Sequence, residues 1–316
     1  MDAIISVLII CSVMEAVSLQ KIPSVREFFP AVRNDLTKVT WAHAVNSIEK
    51  FQKALEDKVM MLEADVMIGT LIRGNDTRKD IPIMCHPEAP DAECVSDLSL
   101  DDFLARVISV NNVGIKLDFK TTEVFNKSLA TLHSYKSNLT VPLWLNADIL
   151  LGPVNSTGQV VDPQVFLGRS RELFPGATLS PGWKVRFGGD VTNGSYSAEH
   201  VSAMKDLLVR SNVTQPVSFP VQVGLASMSL DTLPEILEVS GVSDRTLTLW
   251  GTGADPVDVR GLRDLLRAVG RDRIYTDLPQ SLLDELSSAG RRTSAGRGSL
   301  LLLLLLLAVV LSASSP

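Results

Sequence analysis

No cluster of lysines and arginines occurs before the last thirty residues of this chain, and its balance is acidic, with 36 Asp and Glu against 30 Lys and Arg. Such a surface does not hold a phosphate backbone, which excludes nucleic-acid partners. No Gly-x-Gly-x-x-Gly follows the first strand-like run, which argues against a dinucleotide-binding open sheet. No apolar run reaches the ~20 residues that a spanning helix needs. No linker-like Gly/Ser/Pro tract interrupts the chain before residue 287, so one domain is expected. Cysteine and histidine are scarce, at three and four, and the position of each therefore carries information.

The two ends read as processing signals. Ala3 to Met14 is apolar and is followed by Ala16-Val17-Ser18, small residues where a signal peptidase needs them, although the n-region carries Asp2 and no basic residue. Near the other end, Ser287-Ser288-Ala289-Gly290, a polar spacer from Arg291 to Ser299 and the greasy tail Leu300 to Leu311 match a lipid-anchor attachment signal. The expected division is therefore a signal peptide over 1–18, a mature domain over 19–286 and a removed glycosylphosphatidylinositol (GPI) attachment signal over 287–316. A tail-anchored helix is the alternative. Six Asn-x-Ser/Thr sites, at Asn75, Asn126, Asn138, Asn155, Asn193 and Asn212, fit a secretory route. Cys11 leaves with the leader, so Cys85 and Cys94 are expected to pair in an oxidising compartment.

Within the mature region, β-like runs alternate with amphipathic stretches. Strands are expected near Val39–His43, Met60–Val66, Val113–Phe119, Leu143–Ile149, Ala177–Pro181, Val217–Val223, Thr246–Trp250 and Arg273–Thr276. Helical periodicity lies between most of them, at Ser47–Asp57, Leu100–Val107, Glu123–His133, Asp162–Leu173, Ala198–Val209, Leu230–Val239 and Val257–Val269. Eight such units predict an α/β fold, a (β/α)8 TIM barrel. The stretch Met67 to Asp97 is too long for a simple crossover. It reads as a loop inserted after the second strand, containing a short strand at Ile81–His86.

In such a barrel, functional groups sit at the C-terminal strand ends. His43, the Glu63/Asp65 pair, Asp118 and His86 all fall there or in the insertion. Glu63 and Asp65 are two residues apart and point to one face of their strand, as do Lys116, Asp118 and Lys120. Buried unpaired carboxylates are costly, and a divalent cation would compensate Glu63, Asp65 and Asp118 together. All-oxygen ligands predict Mg²⁺ or Ca²⁺. His43 and His86 then remain for proton transfer or nucleophilic attack. Lys116, Lys120, Asn146, Asp148, Trp183 and Trp250 are the candidate substrate contacts, and Trp144 is a further aromatic near a strand end. The simpler account of Lys116, Asp118 and Lys120 is a buried ion-pair ladder.

Several stretches resemble the menorin family: Trp-Ala-His-Ala-Val-Asn-Ser (41–47), Met-Leu-Glu-Ala-Asp-Val (61–66), His-Pro (86–87) and Gly-Ile-Lys-Leu-Asp-Phe-Lys (114–120). So do Trp-Leu-Asn-Ala-Asp-Ile-Leu-Leu-Gly-Pro (144–153), Phe-Pro-Gly-Ala-Thr-Leu-Ser-Pro-Gly-Trp (174–183) and Val-Ser-Phe-Pro-Val-Gln (217–222). The likeness covers roughly residues 37 to 285. Menorin domains in turn resemble the phospholipase-C-like phosphodiesterases, barrels that include glycerophosphodiester phosphodiesterases and sphingomyelin-cleaving phospholipase D toxins. That resemblance implies an acid/base or nucleophile pair at His43 and His86, metal ligands at Glu63, Asp65 and Asp118, and a phosphate contact at Lys120. It also implies a disulfide in the loop after the second histidine. Glycerophosphodiesterases carry His-Arg-Gly followed by Pro-Glu-Asn-Thr where this chain has His-Ala-Val-Asn-Ser, so the head group is not carried over.

The function expected is an extracellular, GPI-anchored, metal-dependent phosphodiesterase acting on a phospholipid or glycerophosphodiester. The runner-up is a cell-surface recognition protein with extracellular protein partners and a weak or inactive barrel. A glycosidase ranks last, because histidines flank the acid group.

Overall fold

The structure, a computed structural model, describes residues 22–87 and 92–288. The expected leader and attachment signal lie outside the described residues, apart from residues 287 and 288, which end a helix over 280–288. Among the described residues no helix is long and apolar enough to cross a membrane.

Ten strands follow in chain order: β1 (Trp41–Ala42), β2 (Met61–Arg73), β3 (Asp76–Met84), β4 (Val95–Ser96), β5 (Gly114–Phe119), β6 (Leu143–Leu151), β7 (Thr178–Lys184), β8 (Val217–Gln222), β9 (Arg245–Trp250) and β10 (Ile274–Asp277). Eight of them pair in parallel in the order β1-β2-β5-β6-β7-β8-β9-β10, with β3 and β4 hung on β2. This is the expected (β/α)8 architecture with its insertion after the second barrel strand. No backbone ladder joins β10 to β1 among the described residues. Side chains close that seam: Trp41 meets Tyr275 edge to face at 6.2 Å, and Thr276 Oγ1 donates to the Thr37 carbonyl at 3.3 Å.

Alternation along each strand splits the core in two. Leu62, Ala64 and Val66, Ile115, Leu117 and Phe119, and Leu145, Ala147 and Ile149 face outward into one large apolar layer under the helices. Most of the outer helices begin on a residue that caps them: Ser47, Ser99, Thr121, Asp162, Ser197 and Asp258 each accept from a first-turn backbone N–H. Helix 259–269 buries Leu262, Leu265 and Val269, one face of a 3.6-residue period. Facing inward, Met61, Trp144 and Tyr275 form a second apolar cluster with Val25, Val32, Leu36 and Val39 at the N-terminal end of the barrel. Trp41 packs on it, 5.6 Å from Trp144, and Trp144 lies 4.9 Å from Tyr275. These edge-on rings plug the floor of the barrel. Above the floor the interior turns polar.

Three elements differ from expectation. The insertion is a hairpin, because β2 continues past Val66 to Arg73 and pairs antiparallel with β3. Gly69 permits this, since a Cβ there would sit 2.4 Å from the Cys94 carbonyl oxygen. The expected strand Ile81–His86 is therefore the tail of a nine-residue strand. The expected helix Leu230–Val239 is a 3-10 helix over Leu233–Glu238, opened by Pro234. The first strand shrinks to Trp41–Ala42, because the preceding residues coil into a turn that bonds the Val39 N–H to the Leu36 carbonyl.

Candidate active site

One register row places Asp65 of β2 beside Asp118 of β5, Asp118 beside Asn146 of β6, and Asn146 beside Ser180 of β7. One inward step deeper, Glu63 pairs with Lys116. Glu63, Asp65 and Asp118 offer carboxylate oxygens that all lie within 4.8 Å of one another, and three hard oxygen donors at that spacing suit a divalent cation. Each acid is braced. The Asn46 amide donates to Asp65 Oδ2 at 2.8 Å and accepts from the Asp65 N–H at 3.0 Å. Asn146 donates to Asp118 Oδ1 at 2.6 Å and is itself fixed by the Ser180 hydroxyl at 2.6 Å. Glu63 Oε2 accepts the Ala44 N–H at 2.8 Å, from a residue held at φ 52°. That left-handed conformation costs a non-glycine residue on the order of 1–2 kcal/mol.

His43 follows β1 and closes the seam: its Nδ1 lies 2.9 Å from Asp277 Oδ2 and 3.4 Å from Glu63 Oε2. Burial lowers its pKa, but Glu63 and Asp277 outweigh burial and raise it to about 9. Burial pushes Glu63 up to about 7 despite His43. The histidine side chain is still 54% exposed, so Nε2 is open to a ligand. His86 is held from the other side. The Cys85 N–H donates to the Asp65 carbonyl at 2.9 Å, and Cys85 is bonded to Cys94, which ties the base of the hairpin to β2. His86 Nδ1 lies 3.0 Å from the Pro87 carbonyl, a contact in which Nδ1–H donates.

These groups converge on one cavity of about 510 Å³ at the C-terminal strand ends. His43, Glu63, Asp65, His86, Lys116, Asp118, Lys120, Asn146, Asp148 and Trp250 all line it. Trp183 does not. Gly182 and Lys184 take the inward positions of β7, so Trp183 points outward and packs on Tyr196 at 5.2 Å and Phe219 at 6.4 Å. Trp144 belongs to the floor. Of the lysines on and just after β5, Lys120, the expected phosphate contact, is engaged by acids. Lys120 Nζ bridges Asp65 Oδ1, at 2.6 Å, and Asp118 Oδ2. Burial opposes its charge, but the adjacent acids raise its pKa well above the usual lysine range; burial likewise raises the Asp118 carboxyl, but Lys120 and Lys116 outweigh burial and hold it below its ordinary value. Lys116 is 4% exposed, lines the cavity, and makes no ion pair or side-chain hydrogen bond among the described residues. Its charge still acts on Glu63 of β2 and Asp118 of β5.

Three members of this constellation escape the sequence reading. Asp277 stands one residue past the expected eighth strand, and the strand-end rule that selects Asp118 would have selected it too. Asn46 lies inside the motif that carries His43. Lys184 ends β7 and lines the cavity mouth.

Residues 35–283 match the Menorin N-terminal domain. The human protein FAM151B is 32% identical over 255 residues, 81% of this chain and 87% of that protein. Among solved structures, a glycerophosphoryl diester phosphodiesterase from Parabacteroides distasonis aligns with 86% of this chain and 94% of its own, at 13% identity and TM-score 0.42. An Oleispira antarctica phosphodiesterase in complex with the product sn-glycerol-3-phosphate aligns with 79% of this chain and 94% of its own, at 15% identity and TM-score 0.44.

Proposed function

The chain belongs to the Menorin N-terminal domain family, and from that premise we propose that its cavity cleaves phosphodiesters with the help of a divalent cation. One observation carries this reading: three convergent carboxylates, two histidines and the buried Lys116, which makes no direct ion pair among the described residues, line the same cavity. Bound Mg²⁺ or Ca²⁺, held by Glu63, Asp65 and Asp118, would supply Lewis-acid neutralisation of charge on the non-ester phosphate oxygens. Lys116 would take a further phosphate oxygen, and Lys120 holds Asp65 and Asp118 by ion pairs. His86, with its lone pair on Nε2, accepts the proton of the attacking hydroxyl. His43, held between Glu63 and Asp277 as an imidazolium, returns a proton from Nε2 to the leaving oxygen. The attacking hydroxyl belongs to water or to the substrate itself, giving hydrolysis or a cyclic phosphate.

The reading includes an extracellular setting behind a lipid anchor, supported by the apolar segments at both ends of the sequence and by the six glycosylation motifs. One observation favours the recognition alternative: Lys120 already compensates two of the three carboxylates. A panel of chromogenic and natural phosphodiesters, assayed with Mg²⁺, Ca²⁺ or chelator, separates the two. The enzyme reading expects cation-dependent turnover that falls by 10²–10⁴ in both His43→Ala and His86→Ala, with little further loss in the double variant. A folded protein without turnover on the whole panel removes it.

A further inference from the structure

The cavity has two unlike walls. On the wall formed by β1, β2 and β5 the charges engage one another: His43 with Glu63 and Asp277, Lys120 with Asp65 and Asp118. On the wall formed by β6 and β7, Asp148 and Lys184 both line the cavity, and neither side chain makes an ion pair or hydrogen bond among the described residues. No contact of ion-pair length joins the two; burial and then Asp118 raise the Asp148 carboxyl to about 6, and the Lys120 and Lys184 charges oppose that rise only in part. Asp148 also stands apart from the three carboxylates that converge on a common point.

The register explains how both charges stay open. Asp148 is opposite Gly182, and Lys184 is the next inward residue of β7, one two-residue step nearer the mouth. A Cβ at position 182 would lie 2.8 Å from Asp148 Oδ1 and 3.0 Å from Pro220 Cγ. Glycine there makes room for the Asp148 carboxylate, whose Oδ1 takes the space a Cβ would fill. Asp148 is a partly buried carboxylate without a hydrogen bond among the described residues, which favours a cationic ligand group, and Lys184 is exposed at the mouth on the adjacent strand, where it can meet an anionic group of the same ligand.

We infer that this wall reads a zwitterionic head group, with an ammonium against Asp148 and a carboxylate against Lys184. The inference rests on the phosphodiesterase reading and narrows its substrate to diesters of a serine-type amino-acid alcohol. The phosphoryl group lies deeper, at Lys116, and the charged head points to the mouth. A neutral glycerol head leaves both charges unpaired; an ethanolamine head pairs only the first.

Titration calorimetry in millimolar Mg²⁺ tests it, with inorganic phosphate, glycerol phosphate, phosphoethanolamine and O-phospho-L-serine as probes. Phosphoserine is expected to bind tighter than glycerol phosphate by roughly tenfold or more, the size of one charged contact. Lys184→Met should erase the advantage of phosphoserine over phosphoethanolamine. Asp148→Asn should erase that of phosphoethanolamine over glycerol phosphate, while both variants still bind inorganic phosphate. Equal affinity for all four probes overturns the head-group inference and leaves the phosphodiesterase reading standing. Failure of every probe, inorganic phosphate included, overturns both. Cleavage of soluble glycerophosphoserine against cleavage of phosphatidylserine in vesicles then separates a free diester from a lipid; release of phosphoserine or serine from either supports the assignment, and release from neither overturns it.

Discussion

Lys120→Met removes the one ammonium that touches both Asp65 and Asp118. Its Nζ lies 2.6 Å from Asp65 Oδ1, its side chain is 28% exposed, and the two acids are 5% and 17% exposed. Taking one partner from a buried ion pair leaves uncompensated charge and costs about 3–5 kcal/mol. In a domain of this size each kcal/mol is about 2 °C of melting temperature, so the variant should melt roughly 6–10 °C lower in chelator. The same carboxylates are the proposed cation ligands, which makes the loss recoverable. A cation that binds only the folded state adds about 2.7 kcal/mol at a hundred times its dissociation constant. Because methionine no longer competes for Asp65 Oδ1 and Asp118 Oδ2, Mg²⁺ or Ca²⁺ should raise the melting temperature of the variant more than that of the wild type. Differential scanning calorimetry of wild type, Lys120→Met and Asp65→Ala, each with and without cation, makes the comparison. A variant as stable as wild type in chelator would show that the ion pair contributes nothing. A destabilised variant that no cation rescues would show that the three carboxylates do not hold one.

Asp277→Asn keeps the shape at the seam but removes the charge that holds His43, so turnover should fall about tenfold or more with a lowered basic limb of the pH profile, and an unchanged profile would make Asp277 purely structural. Burial raises the carboxyl of Asp102, but the Ser99 hydroxyl, Arg73 and Arg78 together hold it below the usual range. Its folded pKa is thus below the unfolded value of about 3.9, so its contribution is complete above that pH and lost as pH falls through the folded value. Asp102→Asn should lower stability at neutral pH and flatten the acid limb below about pH 4; denaturant melts across that range that superimpose on wild type would refute this. Phosphatidylinositol-specific phospholipase should release the protein from cells, and resistance with the Leu300–Leu311 tail still detectable by mass spectrometry would show a tail anchor instead.

Most of the barrel is legible in the chain because period-2 apolar strands and capped amphipathic helices repeat eight times. The acids are legible for the same reason: Glu63 and Asp65 share a strand face, and an acid on the inward face must be compensated. What the sequence hides is height and partner. Lys116 and Lys120 face the same way, and only the register with β2 tells that one meets Asp65 while the other is left open. Trp183 follows Gly182 in an apolar run, where strand parity alone decides which of the two faces the cavity. The strand-end rule reaches Asp277 as a candidate, but its partner His43 appears only once the last strand is brought round to the first, across a seam that spans 234 positions of sequence.

The ring plug of Trp41, Trp144 and Tyr275 makes the barrel a blind well. A molecule that enters past Lys184 has to leave by the same door. On the phosphodiesterase reading proposed above, the product nearer the mouth would have to clear the way before one seated at Lys116, so the closed floor would impose an order of departure through a single opening.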